Sequence, residues 1–360
     1  MNSTCQEEVD LVYHPAFQVL VGICLVSLLA SYIIMFLFFR KYAFRLYWHM
    51  NIKILFYFNI LISFVLATSL IWNFIGMFIR ISTATKNCEV VLQLKECVVI
   101  RWLFLISFCL TTLNHTAIVI ERLWATIRLS KYEKSSGALG IFLVIFIILL
   151  SILLTYLIML AENPEEYAPT CLSLSASAIG YNIYLLFSFQ CVTEILVLIV
   201  HKYLLWFNRK RCRKTSHCEE NLSEKFQINE NLAVLEQMDP LVIACTLIIG
   251  GYNIVAIAIR PFRGLFTKNH YIIIVFAIFV IPYLPFILTC IAYFMVQKQL
   301  KTRAELTQKS VQMDAITNAQ FSNSLYNWDM SYCAKYERSA VNPAARKWWK
   351  KAFLNRITSI

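Results

Sequence analysis

Charged side chains are scarce. Asp, Glu, Lys and Arg make up 15% of the 360 residues, whereas a soluble domain carries about a quarter. With 59% apolar residues and long uncharged runs, this excludes an ordinary soluble protein and leaves a polytopic membrane protein. Catalytic signatures are missing too: there is no GxSxG, no HExxH and no glycine loop able to cradle phosphate. No enzyme activity and no cofactor are therefore expected. The twelve cysteines contain no CxxC pair and are scattered over loops and apolar runs, so no metal site is expected. The last apolar run holds no Lys, which removes a retinal Schiff base, and acidic residues within the runs are too few for a proton relay or cation path. Residues 1–16 contain no Lys or Arg, so the first apolar run should serve as its own insertion signal rather than follow a cleavable one.

What is present is seven apolar segments, roughly 17–39, 54–79, 98–120, 138–160, 179–201, 241–259 and 271–296. Each is long enough to cross the ~30 Å hydrocarbon core as a helix. The expected fold is an all-α bundle of seven transmembrane helices. With the N-terminus outside, 26 of the 33 Lys and Arg fall on the inner side, which is the arrangement that positive-inside insertion favours. The division that follows is an extracellular N-terminus at 1–16, a seven-span domain at 17–296 and a cytoplasmic tail at 297–360, a short helix followed by a disordered stretch. A net charge of +12 would suggest nucleic acid in a soluble protein. Here it reflects basic inner loops, and no nucleic-acid partner is expected. Two basic stretches, Asn208 to Lys214 and Arg346 to Lys351 with its paired Trp, suit membrane lipid. The polar stretch after residue 218 reads as a helix running into the sixth span.

The third segment organises the rest. It starts at Cys97, ends at Glu121-Arg122, and carries Arg101, Phe108, Thr112, His115 and Arg122 within one quarter of the helix circumference. That polar stripe should face protein rather than lipid. Arg101, Phe104, Leu105 and Phe108 recur at i, i+3, i+4 and i+7, and are the expected wall of a pocket for a small, mostly apolar ligand with an acceptor or negative charge. Asn114 and His115 are expected to make interhelical hydrogen bonds. Glu194 is expected in a structural pair, with His201 as its nearest company.

Four cysteines fall outside the membrane: Cys5, Cys88, Cys97 and Cys171. Three pairings are open to them. Cys97 with Cys171 is expected, because these stand at the two ends of one extracellular lid. A bridge between Cys5 and Cys88 would complete an even count. Asn2-Ser3-Thr4 is a glycosylation sequon on the outer side.

Seven spans with the N-terminus outside, and a Cys 25 positions before the Arg of a Glu-Arg pair, resemble the rhodopsin-like G-protein-coupled receptor plan. AIVIERLWAT (117–126), Lys131-Tyr-Glu133 and FQINEN (226–231) ahead of Pro240-Leu241 are similar to nematode serpentine chemoreceptors of class alpha or alpha/beta. The resemblance implies a chemosensory receptor in the plasma membrane of sensory neurons, coupling an extracellular small molecule to a heterotrimeric G protein. It also implies that Glu121 and Arg122 form the coupling switch, an exposed ion pair that breaks readily. Two places depart from the plan. The seventh span reads Ile281-Pro-Tyr-Leu-Pro285 instead of Asn-Pro-x-x-Tyr, and the sixth has Gly250-Gly-Tyr-Asn253 instead of Cys-Trp-x-Pro. The alternatives are a ligand-gated channel or a transporter of seven spans; the charge distribution opposes the first and the lack of internal repeats the second.

Overall fold

The computed structural model describes residues 3–42, 48–85, 87–128, 132, 137–160, 165, 167–172, 180–215 and 222–320. The chain forms two compact units, 1–296 and 297–360. The second is described only to residue 320, and is helical that far. Among the described residues, seven helices are long and apolar enough to cross a membrane: Pro15–Tyr42, Met50–Thr83, Leu94–Ile127, Ala138–Met159, Asn182–Arg213, Gln227–Leu265 and Lys268–Thr302. A short helix, Ser3–Val12, precedes them.

Several spans outrun the apolar segments that announce them. The fifth continues helically to Thr215, and the sixth begins at Leu222 as the polar helix expected from the sequence. Pro240 lies inside that helix. Its ring cannot donate to the carbonyl four residues back. Six residues later the sixth helix widens into a π-turn, Thr246–Gly250, before resuming as Gly251–Ile259.

The seventh span differs most from expectation. It is not one continuous helix but Lys268–Ala277, a break, a 3-10 turn at Ile281–Tyr283, and a new helix from Leu284. The two prolines explain the break. Pro282 disfavours helical backbone at Ile281, and Pro285 occupies the first turn of the new helix, where its missing N–H would have no partner anyway.

The third span is the central post. Of its apolar stretch 78% is buried, against 28–56% in the other six. It packs against the second, fourth, fifth and sixth. Small and amide side chains tie these helices together. Asn114 Nδ2 donates to Leu55 O and to Asn59 Oδ1, both at 3.3 Å. Asn51 Oδ1 accepts from the Gly140 N–H at 3.1 Å. Gly140 is required by this approach, because a Cβ there would stand 2.9 Å from the Asn51 carbonyl oxygen. Asn114-His115-Thr116 also has the pattern of a glycosylation sequon, but Asn114 is fully buried, which rules it out as a modification site.

Candidate functional site

At the Cys97 end, Cys97 is bonded to Cys171, with Cα atoms 5.1 Å apart. The lid is fixed further by a two-residue antiparallel pairing of Leu92–Gln93 with Tyr167–Ala168, and by Asn73 Oδ1, which accepts from the Cys171 N–H at 2.9 Å. Cys88 is also disulfide-bonded. The side chain of Cys5, and Asn2 altogether, lie outside the described residues.

Beneath the lid is a cavity of about 320 Å3, at the small end of the ~300–1,000 Å3 typical of ligand sites. Phe104, Leu105 and Phe108 line it, as their spacing on the third helix suggests. The remaining wall comes from Phe17, from Ile183, Tyr184 and Phe187 of the fifth span, from Tyr252 and Ala256 of the sixth, and from Tyr271, Phe276 and Phe279 of the seventh. Its base is a connected set of rings. Phe104 and Phe108 stack at 6.1 Å, Tyr252 meets Phe108 at 6.5 Å, Phe187 at 5.8 Å and Phe279 at 5.8 Å, and Phe276 joins Phe17 at 5.0 Å. Such edge-to-face contacts hold aromatic walls in fixed positions.

Arg101 is not on this wall. It is 1% exposed and absent from the lining. Its angular position on the helix matches that of Phe108, but it lies about two turns nearer Cys97 along the helix, and its side chain is packed away from the cavity. The cations that do line the cavity are Arg260 and Arg263, in the last turns of the sixth span, and Lys268, which opens the seventh. The sequence showed them only as outer-side positive charges.

Below the ring cluster, the third, fifth and sixth spans are joined by a buried polar ladder. Gln190 Nε2 donates to Phe108 O at 3.4 Å, and Asn253 Nδ2 donates to Gln190 Oε1 at 3.4 Å. A turn further in, His115 stands between Glu194 Oε1 at 3.3 Å and Cys245 Sγ at 3.1 Å, and Thr246 Oγ1 donates to Glu194 O at 3.3 Å. Glu194 thus finds its partner on the third helix and not in His201, which faces Asp239 at 3.2 Å. The reason is direction: residues 194 and 201 point along one helix face, whereas the fully buried carboxylate must pair across the interface it fills.

At the other end, Arg122 is clamped. Its Nε and Nη2 donate to Glu121 Oε2 and Oε1 at 2.6 and 2.8 Å, its Nη1 donates to Asn231 Oδ1 at 3.1 Å, and its Nη2 also donates to the Tyr132 hydroxyl at 2.9 Å. The Tyr132 hydroxyl in turn donates to Glu121 Oε1. Asn231 Nδ2 passes the network on to Thr126 Oγ1 at 2.8 Å and Asn208 Oδ1 at 3.2 Å. The His49 ring lies 4.2 Å from that of Tyr132. Burial pushes the Tyr132 phenol upward, with Arg122 opposing and Glu121 adding to the shift, so it stays a neutral donor. The Glu121–Arg122 pair is not exposed as expected; Glu121 is 0% and Arg122 2% accessible. Residues from outside the third helix close over it, which a single helix cannot reveal. Two of them come from the motifs that carried the resemblance: Tyr132 from Lys131-Tyr-Glu133 and Asn231 from FQINEN.

Seven membrane-length helices, a lidded cavity at one end and a buried arginine clamp at the other define a serpentine receptor of the G-protein-coupled type. The family described as "Serpentine type 7TM GPCR receptor class ab chemoreceptor" matches residues 2–337, and the chain belongs to that family. Over 360 residues it is 30% identical to "Serpentine receptor class alpha-39" of Caenorhabditis elegans, covering 98% of this chain and 95% of that one. It is 26% identical over 233 residues to "Serpentine receptor class beta-17" of the same organism, covering 64% and 63% respectively. This is a family of multi-pass membrane receptors, not of enzymes.

Proposed function

We propose that the chain is a chemosensory receptor of the plasma membrane of sensory neurons, coupling an extracellular small molecule to a cytoplasmic heterotrimeric G protein. One observation carries the reading: the third helix runs without a break from the cavity wall at Phe104 and Phe108 to the clamp at Arg122, and the sixth helix contacts it at both ends.

The coupling follows from that shared pair of helices. A ligand among the rings bears on Tyr252, which sits one residue past the π-turn and its flanking glycine. Movement of the sixth helix there would be transmitted past Pro240 to Asn231, withdrawing one acceptor from Arg122. The guanidinium has five donors in a planar fork and would then turn to the carbonyls ending a G-protein helix. A ligand drives this only by binding the two arrangements with different affinity. The basic residues Lys210, Arg211 and Arg213, near the end of the fifth helix, suit anionic lipid at the inner surface.

The test is G-protein activation in cells exposed to a small-molecule library, comparing the wild-type chain with Arg122→Ala at equal surface density. A compound that activates the wild type alone supports the reading. A response carried equally by Arg122→Ala, or an N-terminal tag accessible only after permeabilisation, contradicts it.

A further inference from the structure

The ring cluster at the base of the cavity contains one hydroxyl, that of Tyr252. Three phenyl rings hold its ring edge-on, Phe108 at 6.5 Å and Phe187 and Phe279 each at 5.8 Å. Tyr252 is 9% exposed and lines the cavity. Its hydroxyl makes no hydrogen bond to any described residue, and protein does not seal it off, so it opens onto the cavity. Several other polar groups of the wall are occupied: Tyr167 Oη accepts from Gln93, Lys268 reaches both Glu7 and Glu8, and Arg260 lies over the Tyr184 ring. Tyr252 also follows closely on the π-turn Thr246–Gly250, a kind of irregularity that recurs at functional sites.

A hydroxyl taken out of water without a bond is unfavourable, and an acceptor placed beside it recovers the loss. A water molecule suits the place poorly, because the phenyl rings around Tyr252 offer it none of the further bonds that hold buried waters. A charged group suits it no better, since the rings would not replace its hydration. A carbonyl brings acceptors only, so it takes the bond from the Tyr252 O–H and leaves no N–H or O–H of its own unpaired.

We propose that the cavity takes a small neutral ligand, an apolar ring or branched chain bearing a carbonyl, and that the Tyr252 hydroxyl donates to that carbonyl. The apolar body rests on the rings, and the single bond fixes its orientation. This rests on the reading of the cavity as the receptor's ligand site.

The experiment measures binding to the full chain in phosphatidylcholine nanodiscs by equilibrium dialysis, with empty nanodiscs subtracting partition into lipid. Acetophenone and cyclohexyl methyl ketone are compared with α-methylstyrene and isopropenylcyclohexane, in which C=CH2 replaces C=O at nearly the same shape, and with the corresponding alcohols. Tyr252→Phe keeps the ring and its edge contacts and removes only the hydroxyl. The expected result is that the ratio of ketone to alkene affinity falls about tenfold in Tyr252→Phe, while the alkenes still bind. The carbonyl stretch of 13C-labelled ketone should also lie lower in the wild-type site than in lipid, and this shift should vanish in Tyr252→Phe. A ratio that the substitution leaves unchanged, or a wild-type stretch equal to that in lipid, overturns the assignment to Tyr252. Alcohols binding more tightly than their ketones, or alkenes binding where no ketone does, overturn the carbonyl assignment while leaving the cavity as a ligand site. No binding of any compound above empty nanodiscs overturns the ligand-site reading itself, and the proposal with it. A lipid ester could supply the same carbonyl, so the dialysis is repeated in ether-linked phosphatidylcholine. Ketone binding that emerges only there would assign the site to a lipid ester and overturn the proposal; equal binding in both lipids supports a soluble ligand.

Discussion

Neutralising Glu121 should raise signalling in the absence of any ligand. In the closed arrangement Glu121 accepts two charge-assisted bonds from Arg122, at 2.6 and 2.8 Å, with both side chains almost fully buried. Glu121→Gln keeps the shape and one acceptor but turns an amide N–H toward a guanidinium, leaving a buried cation without its counter-charge. Removing one partner of a buried pair costs about 3–5 kcal/mol. If activation brings Arg122 out to water, the same change costs the open arrangement only the ~0–1 kcal/mol of an exposed pair. The difference, about 2–5 kcal/mol, all falls on the closed side. At ~1.4 kcal/mol per tenfold, the equilibrium moves toward the open arrangement by a factor of about 30 or more. The assay is ligand-independent G-protein activation, scaled to surface density measured with an N-terminal tag. Basal activity equal to or below wild type, at normal surface density, would refute the reasoning, since it would show that Glu121 does not restrain Arg122.

Other substitutions probe separate parts of the structure. Cys97→Ser removes the bridge that fixes the lid; it should cost about 2–5 kcal/mol and lower surface expression, and peptide mapping without reductant should recover the Cys97–Cys171 cross-link in wild type only. Phe108→Ala should weaken the response to an activating compound at matched surface density, whereas Phe146→Ala, on an exposed face away from the cavity, should leave the dose–response curve unchanged. Gly140→Ala would press a Cβ to 2.9 Å from backbone of the second helix and should cost about 1–3 kcal/mol. Gly22→Ala, with nothing within 4 Å, should not, and thermal unfolding of the purified variants measures the contrast.

The spans were legible because a bilayer demands about twenty apolar residues from each, and few other structures use such runs. The broken seventh helix was less so. Ile281 to Pro285 stood out for the motif it lacks, while the physical content of its two prolines, a forced restart of the helix, went unread. One wall of the cavity could be drawn from helical spacing on the third span. The facing walls could not, because periodicity tells which residues share a face but not which helices meet. Arg101 shows the same limit: it has the angular position of Phe108, yet its side chain is buried away from the cavity. The cations on the cavity wall are instead Arg260 and Arg263, in a 3-10 turn at the end of the sixth span, just past the apolar run whose spacing could be read, and Lys268 at the start of the seventh. At the opposite end of the third helix the partners of Arg122 were visible as letters before they were visible as contacts. Tyr132 and Asn231 sit in the motifs that suggested the family, and folding brings both onto one guanidinium across 10 and 109 positions of sequence.

The central claim is that Arg122 acts through its planar, multi-donor fork and not merely as a positive charge at the membrane boundary. Lys keeps the charge but lacks the fork. The most direct measurement is ligand-evoked G-protein activation by Arg122→Lys at a surface density matched to wild type. Normal delivery to the surface with signalling lost is expected. Full signalling in Arg122→Lys, and again in Arg122→Ala, would contradict it and leave Arg122 as a membrane anchor.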